Sequence, residues 1–176
     1  MNSRAAIVTP ATDIARFMVC PPAPPGLLST CYNAQGNALL ALCHWRDSQT
    51  WYASAAQMAD KAGEVDKLST TTCNLGLAHL NLGEWTEAEK CFEEALGPAR
   101  AQGCAYSVAL ALNNSGILWT RRGALDEASS RLWESVKWFE ECGDNWGLAL
   151  AYSNIGELEH ARGNDHAAQD LFSRSE

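Results

Sequence analysis

Between Cys73 and Leu96 the chain reads CNLGLAHLNLGEWTEAEKCFEEAL: apolar and small residues at helical spacing, a glycine turn at Gly83, then a second amphipathic helix. Forty residues on, Asn113 to Val136 read NNSGILWTRRGALDEASSRLWESV, and forty further Ser153 opens SNIGELEHARGNDHAAQDLFSRSE. Set in rows of forty, the chain aligns without a gap. One column holds Gly36, Gly76, Gly116 and Gly156; seven residues on come Cys43, Gly83, Gly123 and Gly163. Ser48, Ala88, Ala128 and Ala168 follow, then Tyr52, Phe92, Leu132 and Phe172, then Ala55, Ala95, Ser135 and Ser175, while Gly63, Gly103 and Gly143 form a further column. A pattern recurring at a fixed period of this length indicates stacked supersecondary units.

Each column has a mechanical reason. Helices sit about 8–10 Å apart, and small residues where they cross permit close approach. The first glycine column and the Ala/Ser columns supply that room, and the Tyr/Phe/Leu column fills the space between helices. Glycine after a helix suits a left-handed closing turn, so Gly83 and Gly123 should end first helices and Gly63, Gly103 and Gly143 second ones. Cys43 must take such a turn without being glycine. Thr86 and Asp126 are the expected caps of the following helices. Gly97 and Pro98 predict a kink or early end in the second helix of their row. The seven tryptophans are expected to pack between helices.

The whole chain narrows the functional classes. Its 176 residues, 47% hydrophobic and 19% charged, suit a folded protein. No apolar run approaches the roughly 18 residues of a membrane span, so membrane insertion is not expected. The start, MNSRAAIVTPATDIARFMVCPPAPP, lacks the continuous apolar centre of a signal peptide. Seven cysteines without a CxxC pair read as reduced thiols, which favours the cytoplasm over an oxidising compartment. Residues 1–65 hold four basic groups (Arg4, Arg16, Arg46, Lys61) and four acidic ones (Asp13, Asp47, Asp60, Glu64), so the whole net charge of −8 falls in residues 66–176. A phosphate backbone would be repelled by such a surface, so no nucleic-acid partner is expected. The histidines (His44, His79, His160, His166) are scattered through the rows, and neither a GxxxxGK[ST] loop nor an HExxH motif occurs. No catalysis, cofactor or metal is expected.

The spacing of Gly, Gly, aromatic and Ala, clearest in NLGLAHLNLGEWTEAEKCFEEAL, resembles the tetratricopeptide repeat family over residues 27–176. That family's usual repeat is about 34 residues; longer repeats like these are similar to those of Leu-Gly-Asn mitotic adaptors, rapsyn, kinesin light chain and bacterial regulators with helical-repeat sensors. The resemblance implies an all-α fold: a right-handed α-solenoid of antiparallel hairpins, about 3.5–4 repeats, divided as 27–63, 64–103, 104–143 and an incomplete 144–176. Residues 1–26 read as a proline-rich leader, in which CPPAPPG (Cys20 to Gly26) should not be helical. The last row stops inside its second helix, so its flank is expected to continue in a longer protein or to meet a partner, with self-association through that end one outcome.

First helices line the concave side of such a stack. Around the first glycine column lie Asn33, Asn37, Asn74, Leu77, Asn113, Asn114, Ile117, Arg121, Asn154 and Glu157. Amides that both donate and accept can hold an extended backbone, a use the resemblance to kinesin light chain implies; they can equally bond between neighbouring repeats. Too few basic residues lie here for a chaperone-type carboxylate clamp, Arg121 and Arg122 being the nearby cations. The expected function is a protein-interaction scaffold that captures a partner's peptide or helix, and Asn114→Ala with Asn154→Ala is expected to weaken capture at unchanged helicity. A ligand-sensing domain of a bacterial transcription regulator and a self-associating spacer are the alternatives.

Overall fold

The computed structural model describes residues 23–175. Eight helices follow in order: α1 (Pro25–Ala41), α2 (Trp45–Ala62), α3 (Val65–Asn81), α4 (Trp85–Gln102), α5 (Ala105–Arg121), α6 (Leu125–Cys142), α7 (Asn145–Ala161) and α8 (Asp165–Arg174). Among the described residues there is no strand. Successive helices pack pairwise, which makes an all-helical solenoid of hairpins. Of the expected leader, residues 1–22 lie outside the described residues. Its end differs from expectation: Pro25 and Gly26 are helical, with Pro25 in the first turn of α1, where its missing N–H costs nothing and its fixed φ is already helical.

Seven turns share one conformation. Gly63, Gly83, Gly103, Gly123, Gly143 and Gly163 have φ between 67° and 81°, and Cys43 joins them at 60°. Each turn residue donates to the carbonyl three back, and its successor donates to the carbonyl five back; at Gly83 these are Leu80 O at 3.1 Å and His79 O, reached from Glu84 N, at 3.0 Å. The next helix starts at once, so the residue after the turn becomes its N-cap. Glu84 and Ala124 hold those places, without a side-chain cap bond. Thr86 and Asp126 therefore sit inside the first turn rather than capping it, and Asp126 instead accepts from Arg162 Nη2 at 2.8 Å.

Within each hairpin the glycine of the first helix faces the large residue sixteen places later. A Cβ on Gly36 would lie 2.5 Å from Tyr52 Cε1, on Gly76 2.6 Å from Phe92 Cε1, on Gly116 2.5 Å from Leu132 Cγ and on Gly156 2.6 Å from Phe172 Cε1. Such distances are sterically closed, so each ring or isobutyl group sits directly on bare helix backbone. Buried Ser48, Ala88, Ala128, Ala55, Ala95 and Ser135 line the same seam.

Between hairpins, α1, α3, α5 and α7 approach one another directly, whereas α2, α4, α6 and α8 approach only the first helices beside them. Closer spacing on one side curves the stack, with the first helices inside. Two core clusters result: one joins Leu80, Phe92, Leu96, Val108, Leu112 and Leu118, the other Leu132, Val136, Phe139, Ile155, Leu158 and Leu171, with Trp138 packed on both.

Two expectations are corrected in part. Helix α4 runs through Pro98 to Gln102 without ending early. Gly97 and Pro98 are exposed, while Ala95, Leu96 and Ala99 are buried; water can satisfy the carbonyl that proline deprives, and Gly97 brings no Cβ against the ring. The tryptophans divide: Trp119 and Trp138 pack against the core, but Trp85, Trp133 and Trp146 are 40%, 42% and 79% exposed.

A side chain at positive φ costs about 1 kcal/mol, so Cys43→Gly should raise the melting temperature. Gly116→Ala should lower stability by about 1–3 kcal/mol through overpacking against Leu132, read as a shifted urea midpoint.

Candidate binding groove

The first helices carry the candidate site because they form the inner curve. Their glycine-column faces are turned to the second helices, so the flanking residues point to the neighbouring repeat or to the groove.

Three asparagines make the same reach. Asn74 Nδ2 donates to Asn33 Oδ1 at 2.9 Å, Asn114 Nδ2 to Cys73 Sγ at 3.3 Å, and Asn154 Nδ2 to Asn113 Oδ1 at 2.9 Å. Each links a first helix to the one before it across 41 residues. Asn113 and Asn114 are 0% and 2% exposed and Asn154 9%. No groove occupant can touch the first two; buried amides need fixed partners, and here the neighbouring repeat supplies them. Asn33 and Asn74 are half-buried at the same kind of joint, and Asn37 is exposed, its Oδ1 accepting from Tyr52 Oη at 2.8 Å.

The other expected residues remain reachable. Leu77 and Ile117 are half-buried, and Arg121 and Glu157 are exposed. Arg121 Nη1 lies 3.4 Å from Leu80 O. Its neighbour Arg122 turns away, pairing with Glu89 at 2.7 Å and stacking 5.0 Å from the Trp119 ring.

Tyr106, 44% exposed, and half-buried Leu110 were not anticipated here. They lie eleven and seven residues before Ile117, on the same helical stripe. The column Asp66, Tyr106, Trp146 carried the signal, since two of its three places hold aromatic side chains.

Behind the groove, the carboxylates of the second helices form ion pairs along the outer wall: Arg131 with Glu93 at 2.6 Å and Glu127 at 2.9 Å, and Arg100 with Glu134 at 2.6 Å. At the α3–α4 turn, His79 Nδ1 lies 2.6 Å from Glu84 Oε2, and Gln49 Nε2 donates to that oxygen at 2.9 Å. These hydrogen bonds hold the Glu84 carboxyl below its ordinary value. A depressed carboxylate stabilises the fold above its unfolded pKa, and that contribution disappears as pH falls through the lowered value. Among the described residues no group of three or more His, Cys, Asp and Glu side chains converges as metal ligands would, and no helix is long and apolar enough to cross a membrane.

Burial pushes the Cys73 thiol up to about 12, against the opposing Asn114 hydrogen bond, and Cys91 up to about 11. Exposed Cys31, Cys43 and Cys142 should therefore react with a chromogenic disulfide reagent at mildly alkaline pH, while Cys73 and Cys91 react only on unfolding. Asn154→Ala leaves the buried Asn113 carbonyl without its donor and should cost about 1–3 kcal/mol in urea unfolding.

The tetratricopeptide repeat model matches residues 72–96. Among solved structures, the crystal structure of BtubC (BKLC) from P. vanneervenii superposes with a TM-score of 0.66 at 21% identity, over 86% of this chain and 63% of that one. The chain thus spans less than two thirds of that protein. No curated protein sequence matches significantly. Residues 72–96, which lie within the α3–α4 hairpin and include its Gly76–Phe92 contact, match the tetratricopeptide repeat model and are set in a helical-repeat fold.

Proposed function

We propose that the chain is a non-catalytic interaction scaffold that holds a peptide or helix of a protein partner on the inner face of its first helices. Tetratricopeptide repeats are in general protein-interaction modules, and the observation that carries the reading is the partly exposed apolar stripe beside the buried asparagine joints. Leu77, Leu110 and Ile117 offer apolar contact, Tyr106 an aromatic face, and Asn37, Arg121 and Glu157 polar ends. The joints hold the stripe rigid, which lowers the ordering cost of capture. A net charge of −8 favours an occupant with basic residues between its apolar anchors. The six described cysteines are free thiols, which supports a cytoplasmic setting.

A second reading, small-ligand sensing, is favoured by a cavity of about 190 Å³ between α1 and α3, lined by Ser29, Thr30, Asn33, Asp66, Lys67, Thr70 and Thr71. Ser29 Oγ is buried there without a hydrogen-bond partner.

Leu77→Ala with Ile117→Ala should weaken binding of peptides selected from a random library, measured by calorimetry. Both side chains also pack on the core cluster, so the melting temperature falls as well, and binding is read where circular dichroism shows the variant folded. Equal affinity in the double variant removes the groove reading. Thermal stabilisation by polar metabolites, lost in Ser29→Val, would favour the second one.

A further inference from the structure

Where α3 docks on α1 the joint stays open, and its cavity of about 190 Å³ has walls supplied by both helices. Ser29 and Thr71 form the floor, 0% and 2% exposed, while Thr30 and Asp66 stand at a mouth that meets solvent. Asn33, Lys67 and Thr70 complete the lining. At the two later joints the place of Asp66 holds Tyr106 and Trp146, and that of Thr70 holds Leu110 and Leu150. The wholly polar lining is particular to this joint.

The hydrogens on that lining are already committed. Thr30 Oγ1 donates to Gly26 O at 3.1 Å, and Thr71 Oγ1 to Lys67 O at 2.8 Å. Ser107 Oγ bonds Asp66 Oδ1, and a carboxylate only accepts, so the serine hydrogen is spent there. Thr70 Oγ1, 2.9 Å from the same Ser107 oxygen, must then donate to it. All three threonines therefore turn lone pairs, not hydrogens, toward the cavity. Asp66 Oδ2 has no partner among the described residues and adds a charged acceptor. Lys67 brings no free charge, because its ammonium pairs with Glu64 and donates to Gly26 O at 3.2 Å. Asn33 accepts from Asn74 through Oδ1, which leaves its own N–H groups to donate. Ser29 Oγ, buried on the floor, has no hydrogen-bond partner among the described residues. Buried polar atoms are normally paired, so this one marks a place that a bound group completes.

An acceptor-rich wall around one unneutralised carboxylate suits a group with several hydrogens and a positive charge. An ammonium has three donors and no acceptor, whereas a polyol carries as many acceptors as donors and would find too few partners for them. We propose that this cavity binds a small primary amine carrying a hydroxyl or carbonyl oxygen. Its ammonium lies among Asp66 and the threonine oxygens, and its oxygen accepts from Asn33. This inference rests on the small-ligand reading of the cavity and names the ligand's chemistry.

Titrating the full chain at neutral pH with ethanolamine, followed by amide proton–nitrogen correlation spectra, tests it. Ser29, Asp66 and Thr71 should shift together with a dissociation constant of about 1 mM, as expected for so few ligand atoms. Choline keeps the charge and the hydroxyl but has no N–H, and should leave these signals in place. Asp66→Asn, which still accepts from Ser107, should weaken binding at least about tenfold, and Ser29→Ala about fivefold. Equal binding of choline, or an Asp66→Asn variant with unchanged affinity, would overturn the amine assignment. Shifts with glycerol but not ethanolamine would overturn it too, while keeping a small-ligand site; no shift with either up to about 20 mM removes both readings.

Discussion

The contact between a glycine on one helix and a large side chain on the next governs this molecule. Where Phe92 lies on Gly76 or Leu132 on Gly116, no side chain can stand between the two helices. That closeness fixes where along its length each first helix meets its second, and the twenty-residue interval between turns follows from repeating it. Dispersion per atom pair is small, but a ring against bare backbone makes many such pairs at once. The left-handed turns then let each helix reverse within two or three connecting residues before the next begins.

A second set of interactions joins hairpins rather than helices within them. Amide, hydroxyl and guanidinium groups of one repeat reach back to the repeat before it: Asn74 to Asn33, Ser107 to Asp66, Arg162 to Asp126. Apolar packing alone tolerates sliding. Buried amides do not, because a slip would strand Asn113 or Asn114 without a partner. The hydrogen bonds therefore set the register of neighbouring repeats, while the hydrophobic clusters supply most of the cohesion. Stability in such a stack is a sum over neighbours.

This division of labour leaves room for function. Residues that bind neighbouring repeats are spent on the fold, and those beside them on the inner curve, Leu77, Tyr106, Ile117 and Arg121, are held by it with part of each side chain left open. An acidic outer wall, crossed by Arg131 and Arg100, separates the inner curve from the back of the stack.

The amino-acid sequence by itself determined the hairpins, their forty-residue period, the seven turns and the steric reason for the glycine column, because all of these depend on short-range geometry that residue size and spacing express. Even the odd Cys43 turn was legible, since its column demanded it. Asn113 and Asn114 were legible as a stripe but not as a role: an amide two or three residues before the glycine column can face a groove or a neighbouring helix, and only the angle between repeats decides which. The same holds for Pro98, tolerated because tertiary packing placed it on the outside of α4, and for Trp146, whose exposure depends on what stands beside α7. Local periodicity writes the elements; the approach of one repeat to the next, a long-range packing property, decides which side chains are left to meet anything else.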